Sequence, residues 1–283
     1  MNDTSIKPII EKRKSIRNYT KDPLTESDFN RVKELIGNIS KEPSVFSAPF
    51  RIHLLDAKEG VDTERLSTYG VIKGAKTFLC ITALKEEEGV MESIGYQFER
   101  IVLTLTSWGI GTCWLAGTFN REQFASSFDM KENEFFPILC PVGYPSDKGS
   151  LKNTLLRALA KSDQRKKWEM IFFDGDFKTP LTKEKAGEYA FALEMLRLAP
   201  SAVNKQPWRI LKKDGYFHFF AAMDPQNSHS FPLPRLDVGI ATSHFHLALL
   251  EKGLKGEFVR LEDLAIEAPE DAQYLYSWKC EEE

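Results

Sequence analysis

Three stretches of this chain hold residues whose types and spacing suit ligand chemistry. The first is Arg13-Lys14-Ser15-Ile16-Arg17. In an extended backbone Arg13, Ser15 and Arg17 project to one side, because side chains alternate with period two. Two guanidinium forks and a hydroxyl on one face match a phosphate, whose oxygens arginine engages in bidentate fashion. A solvated basic turn is the competing reading. The second stretch is Ala199-Pro200-Ser201-Ala202-Val203-Asn204-Lys205-Gln206-Pro207-Trp208. It sets Ser, Asn and Gln between prolines, and such a loop holds amides and hydroxyls in fixed positions at the mouth of a sheet, where ligands commonly sit. An ordinary helix-to-strand connection is the alternative. In the third, Gly111 to Gly117, a strand leaves into a small-residue loop where backbone amides can approach a ligand closely. A basic cluster, Arg165-Lys166-Lys167, precedes Trp168.

Other chemistries find no support. No Ser-His-Asp, paired-carboxylate or zinc constellation is apparent, and the GxGxxG fingerprint is absent. His244 and His246 lie two apart on a helical pattern and diverge, so no metal is expected. Cys80, Cys113, Cys140 and Cys280 lack metal-ligand spacing and are expected as free thiols of a cytoplasmic protein. A formal net charge of -3 argues against nucleic acid and anionic membranes as partners. With 283 residues, 42% of them hydrophobic, the chain can bury one large domain or two packed halves.

The elements that must position these stretches are legible. Residues 5–12 read as a short helix running into the extended Arg13–Tyr19 segment. Thr25 caps a helix reaching about Ile39, with Asp28 answering its N-terminal dipole. Strands are expected at Phe50–Leu55, Thr77–Leu84 and Phe135–Val142. Ile94, Phe98, Ile101, Val102 and Leu105 form one face of a helix over about 93–108, ended by Gly109. Pro200 lacks the amide that a continuing helix needs, so a helix stops there and Trp208 opens a strand. Tyr274, Tyr276 and Trp278 alternate, as in an edge strand or a tail docked on the other half.

The second half repeats the first. Pro180-Leu181-Thr182 answers Pro23-Leu24-Thr25, and Pro200-Ser201 answers Pro43-Ser44 at the same separation. Pro207, Arg209, Ile210 and Asp214 answer Pro49, Arg51, Ile52 and Asp56 with a slip of one. Gly239, Leu247, Leu249 and Gly253 answer Gly95, Leu103, Leu105 and Gly109 at a shorter separation. That order indicates an internal duplication, with a deletion expected between the Asp214-Gly215 turn and the Gly239 helix. The copies are complementary. Arg13, Ser15 and Arg17 fall opposite Met170, Phe172 and Asp174, while the polar loop falls opposite residues 43–50, which lack its Asn and Gln. One half keeps the cations and the other the amides, as a single composite site needs.

These residues resemble the nitroreductase family of flavin enzymes. The resemblance rests on the Arg13–Arg17 motif, the Pro200–Trp208 loop, the Gly109–Gly117 stretch, and the late strand ending in Val142-Gly143-Tyr144-Pro145. It implies an α+β, nitroreductase-like fold, duplicated into an intramolecular pseudo-dimer of halves 1–168 and 169–283. One flavin mononucleotide (FMN) per chain is implied. Arg13 and Ser15 would hold its phosphate, with Arg165 or Lys166 adding a cation, and Arg17 would lie near the N1/O2 edge, with Lys14 as a neighbour. The turn Trp114, Leu115, Ala116 and Gly117 would face the ring, the Ala116-Gly117 backbone lying at N5. Pro200, Ser201, Ala202 and Asn204 would reach it from the second half, with Gln206 holding the loop. Ala202 stands where many relatives have Ser. The implied reaction is ping-pong hydride transfer from NAD(P)H to the flavin and on to a nitro compound, quinone or similar small acceptor. Reductive dehalogenation, flavin breakdown or a non-enzymatic flavin-binding role are the alternatives. A monomer or weak homo-oligomer is expected.

Overall fold

The computed structural model describes residues 5–41, 46, 48–85, 87–146, 164–223 and 231–281. It divides into two compact units, one of Lys12–Lys161 and the other of Met1–Glu11 with Ser162–Glu283. Two features explain why these differ from the sequence-drawn halves. Glu251 accepts hydrogen bonds from Ser5 Oγ (2.9 Å) and the Ile6 amide (2.6 Å), so the first helix, α1 (Ile6–Lys12), is capped by the later unit. The Lys166 amide donates to Gln206 Oε1 at 2.7 Å, which ties the basic cluster to that unit as well.

In the Lys12–Lys161 unit, Thr25 caps α2 (Glu26–Ile39) by accepting from the Asp28 amide. A four-stranded antiparallel sheet follows in the order β1-β2-β4-β3, formed by Phe50–Leu55, Thr77–Leu84, Glu134–Gly143 and Gly111–Thr112. β2 is buried along almost its whole length, as its continuous apolar run requires. α3 (Val90–Ser107) lies against β1, β2, β3 and α2, and Gly109 (φ 78°) ends it. A short helix, α4 (Arg121–Ala125), follows the turn after β3 and is capped by Asn120.

The other unit carries a six-stranded sheet in the order β6-β5-β7-β8-β10-β9. Its strands are β5 (Phe172–Asp174), β6 (Asp176–Pro180), β7 (Trp208–Lys213), β8 (Tyr216–Ala222), β9 (Gly256–Val259) and β10 (Ala272–Cys280). Helices α5 (Lys183–Ala186), α6 (Ala190–Arg197) and α7 (Leu233–Lys252) complete it, and α7 packs on α6, β7 and β8. Asp214 (φ 49°) and Gly215 (φ 78°) make the two-residue hairpin turn expected from their types.

Helix, two antiparallel strands and a long helix thus recur in both units in the same order. The shortening lies in the strand-to-strand connection itself. Residues 56–76 link β1 to β2, whereas Asp214 and Gly215 alone link β7 to β8. Tyr274–Trp278 also departs from expectation, because β10 is an interior strand between β8 and β9. A register shift between Tyr274 and Tyr276 pairs them with Phe220 and Phe219, on opposite faces of the sheet. Of the counterpart stretch 43–50, only Phe46 and Ala48–Phe50 lie within the described residues.

Candidate cofactor-binding site

The Arg13–Arg17 segment is an extended strap laid along the end of the first sheet. Ser15 pairs in parallel with Thr112, and the Ile16 amide donates to Thr112 O at 2.8 Å. Further along, Lys73 N donates to Arg17 O (2.9 Å) and Tyr19 N to Lys73 O (2.8 Å). The buried Tyr19 hydroxyl donates to Ile16 O at 2.7 Å. With the strap pinned at both ends, alternation sends Ile16 into the core and the polar residues the other way. Arg13, Ser15 and Arg17 all lie near enough to the Cys113 thiol to act on it. Burial raises the Cys113 thiol pKa, against the opposing pull of Arg17, a hydrogen bond with Ser15, and Arg13. Lys14 points elsewhere and is exposed.

Burial lowers the Arg13 pKa, and Glu99 is the first charge that opposes this. Glu99 sits fully buried on α3, where its Oε2 accepts from Trp114 Nε1 at 2.8 Å. Phe98 meets the Trp114 ring edge-on at 5.0 Å. Leu115 exchanges two backbone hydrogen bonds with Leu139, each 2.9 Å, and is buried. The turn Trp114–Gly117 is therefore held on both sides, with Gly117 exposed at its tip.

Gly111 shows how closely the strap approaches. A Cβ there would lie 2.8 Å from Ile16 Cγ1. Gly111→Ala is therefore expected to cost about 1–3 kcal/mol, from overpacking between strap and β3. Denaturant unfolding reads that loss, and an unchanged midpoint would contradict the packing.

The Pro200–Trp208 loop belongs to the other unit and is held by a separate network. Val203 (φ 47°), Asn204 (φ 57°) and Gln206 (φ 49°) all adopt the left-handed region, which costs non-glycine residues energy. Val203 is also 73% exposed. What holds the loop is polar. Gln206 Nε2 donates to Asn204 O (3.2 Å) and Asn204 Oδ1 (3.2 Å), and the Gln206 amide donates to Ser201 Oγ (2.8 Å). Asn204 Nδ2 donates to Gln164 O at 2.9 Å. Arg165 donates to Leu198 O from Nε (3.2 Å) and Nη2 (3.1 Å), and Lys166 Nζ donates to Gln206 O at 3.2 Å. Burial, then Arg209, lowers the Lys166 pKa to about 8. The Ala202 amide donates to both carboxyl oxygens of the buried Asp237 on α7, at 3.1 Å each. Gln206→Ala is expected to lose about 1–3 kcal/mol, because its half-buried partners Asn204 and Lys166 lose their hydrogen bonds while the strain remains. Thermal unfolding tests this, and a shift too small to resolve would remove Gln206 from its bracing role.

The family described as "Putative TM nitroreductase" matches residues 5–249, which include the strap, the turn and the loop. The chain belongs to this family. The crystal structure of a "putative nitroreductase" from Thermotoga maritima MSB8 has the same fold, with 21% identity, coverage of 99% of this chain and 95% of that one, and a TM-score of 0.60. A "putative nitroreductase in complex with fmn" from Desulfovibrio desulfuricans is 20% identical over 55% of this chain and 97% of its own, with a TM-score of 0.41. No curated protein matches the sequence. The fold class is thus the duplicated α+β nitroreductase fold, and among the described residues no helix is long and apolar enough to cross a membrane. Nor do the described residues hold a cluster of His, Cys, Asp and Glu that could bind a metal ion.

In this TM nitroreductase-family chain the expected residues form two groups, each inside its own unit. Arg13, Ser15 and Arg17 all act on the Cys113 thiol, Glu99 acts on Arg13, and Trp114 bonds to Glu99. Arg165, Lys166, Ser201, Ala202, Asn204 and Gln206 meet around the second loop, with Pro200 leading into it. Sequence reasoning missed Glu99, Cys113, Arg121 and Asp237. Two of these carried a signal, since Glu99 and Asp237 are acids inside otherwise apolar helical windows.

Proposed function

We propose that this chain is an FMN-dependent oxidoreductase, binding one FMN and using NAD(P)H to reduce a nitro compound, quinone or similar small acceptor. The observation that carries this reading is the strap. Arg13 Nε is buried with no hydrogen-bond partner among the described residues, and Ser15 and Arg17 act on the same thiol, Cys113, that Arg13 does. A buried polar atom without a partner is costly, and a phosphate oxygen would satisfy it. Arg13 and Ser15 bind the phosphate, Arg17 supplies positive charge toward the ring, and the Ala116–Gly117 backbone faces N5. Pro200, Ser201, Ala202, Asn204 and Gln206, with Arg165 and Lys166, form the second set of contacts, as the sequence comparison of the halves suggests. FMN, when bound, supplies the two-electron chemistry between nicotinamide and acceptor. The protein supplies position and charge.

The test is direct. Apoprotein titrated with FMN should turn yellow, bleach with NADH or NADPH under anaerobic conditions, and recolour with a nitroaromatic or quinone. A chain that takes up no flavin ends the proposal. One that binds FMN but is not bleached by either nicotinamide loses the NAD(P)H assignment alone.

A further inference from the structure

Arg121 opens α4 directly after the turn that is proposed to face the flavin. Its guanidinium reaches back, donating from Nη2 to Ala116 O at 2.6 Å and to Pro137 O at 3.3 Å, and from Nε to Phe136 O at 2.7 Å. One planar fork therefore joins the turn to the start of β4. Its charge also lies over the Phe119 ring, 4.8 Å from the centroid. Burial lowers the Arg121 pKa, which marks a cation partly removed from water. The peptide whose carbonyl it holds is Ala116–Gly117. The N–H of that same peptide belongs to Gly117, which is exposed and has no acceptor among the described residues. A cation bonded to a peptide oxygen polarises the unit and strengthens its N–H as a donor.

We propose that Arg121 is a positioning residue: by holding the Ala116 carbonyl, it fixes and polarises the Ala116–Gly117 peptide so that the Gly117 amide is presented to flavin N5. This inference rests on the FMN reading above. Arginine is suited to the task because three carbonyls are met by one rigid group. The compact ammonium of lysine keeps the charge without that geometry.

Arg121→Lys and Arg121→Met would be compared with wild type in four measurements: thermal unfolding, exchange of the Gly117 amide in the FMN-loaded protein, FMN affinity, and the midpoint potential of the bound flavin. The expected result for Arg121→Lys is near wild-type unfolding, faster Gly117 exchange in the FMN-loaded protein, where wild type would hold that amide on N5, and FMN affinity weakened about tenfold. The potential should be more negative in Arg121→Met, where the positive charge is gone. Variants with wild-type affinity and potential would overturn the role of Arg121 while leaving the FMN reading intact. A drop in stability with unchanged affinity and potential would make Arg121 a brace only, and would also overturn it. If Arg121→Met does not fold, Arg121→Lys carries the comparison through amide exchange and affinity. A wild-type chain that binds no FMN would remove both readings together.

Discussion

Arg13→Ala is expected to weaken FMN binding about 10- to 150-fold, the equivalent of a charged hydrogen bond worth roughly 1.5–3 kcal/mol. The same substitution should also destabilise the protein. Glu99, fully buried, is the first charge that favours the protonated guanidinium, so removing Arg13 takes away a favourable charge interaction in the interior. A second change separates the two effects. Arg13→Met combined with Glu99→Gln removes both charges and keeps an oxygen for Trp114 Nε1, so folding should largely recover while FMN affinity stays low. Equilibrium flavin binding and urea unfolding on both variants decide the matter. A folded double variant with wild-type affinity would rule Arg13 out as a phosphate ligand.

Asp237→Asn is expected to remove a pH dependence that the wild-type protein shows. Burial raises the Asp237 pKa to about 8, opposed by the Ala202 amide and by Lys205. In the unfolded chain an aspartate titrates near 3.9. Between about pH 4 and pH 8 the folded protein therefore holds a proton that the unfolded chain has released. The stabilisation is fully present below the unfolded value, declines as pH rises, and is gone once pH passes the folded value. The upper limit of the change is about 6 kcal/mol. Asparagine keeps a carbonyl acceptor for Ala202 and does not titrate, so the variant should be the more stable protein at pH 9. Unfolding midpoints from pH 5 to pH 9 test this. Parallel curves for the two proteins would show that Asp237 does not titrate in that window.

Much of the scaffold was readable without coordinates because short-range rules govern it. Thr25 at the start of α2, Gly109 after α3, and Asp214-Gly215 between β7 and β8 act through their own backbone preferences. The strap was readable for a related reason. Alternation alone sets Arg13, Ser15 and Arg17 against Ile16 once the backbone is extended. The polar loop announced itself through its prolines and amides, though not through its strain, since Val203 has no local reason to adopt φ 47°.

What escaped that reading depends on neighbours distant in the chain. Nothing near Tyr274 signals the register shift that turns it away from Tyr276, because the shift is set by pairing with β8. The first helix joins the later unit because Glu251, hundreds of residues away, accepts from its first turn. Arg121 reads locally as an ordinary helix-opening residue, and only the folded chain brings Ala116 O, Phe136 O and Pro137 O within reach of one guanidinium.

Sequence alone therefore reached the family, the duplication and most elements of the first half. Each of these follows from local stereochemistry or from the order of residues along the chain. Tertiary structure decided which residues are buried, what holds each one, and where charge is removed from water. Arg13 beside Glu99 and Asp237 beneath Ala202 take their properties from that burial, and burial is a property of the packed chain.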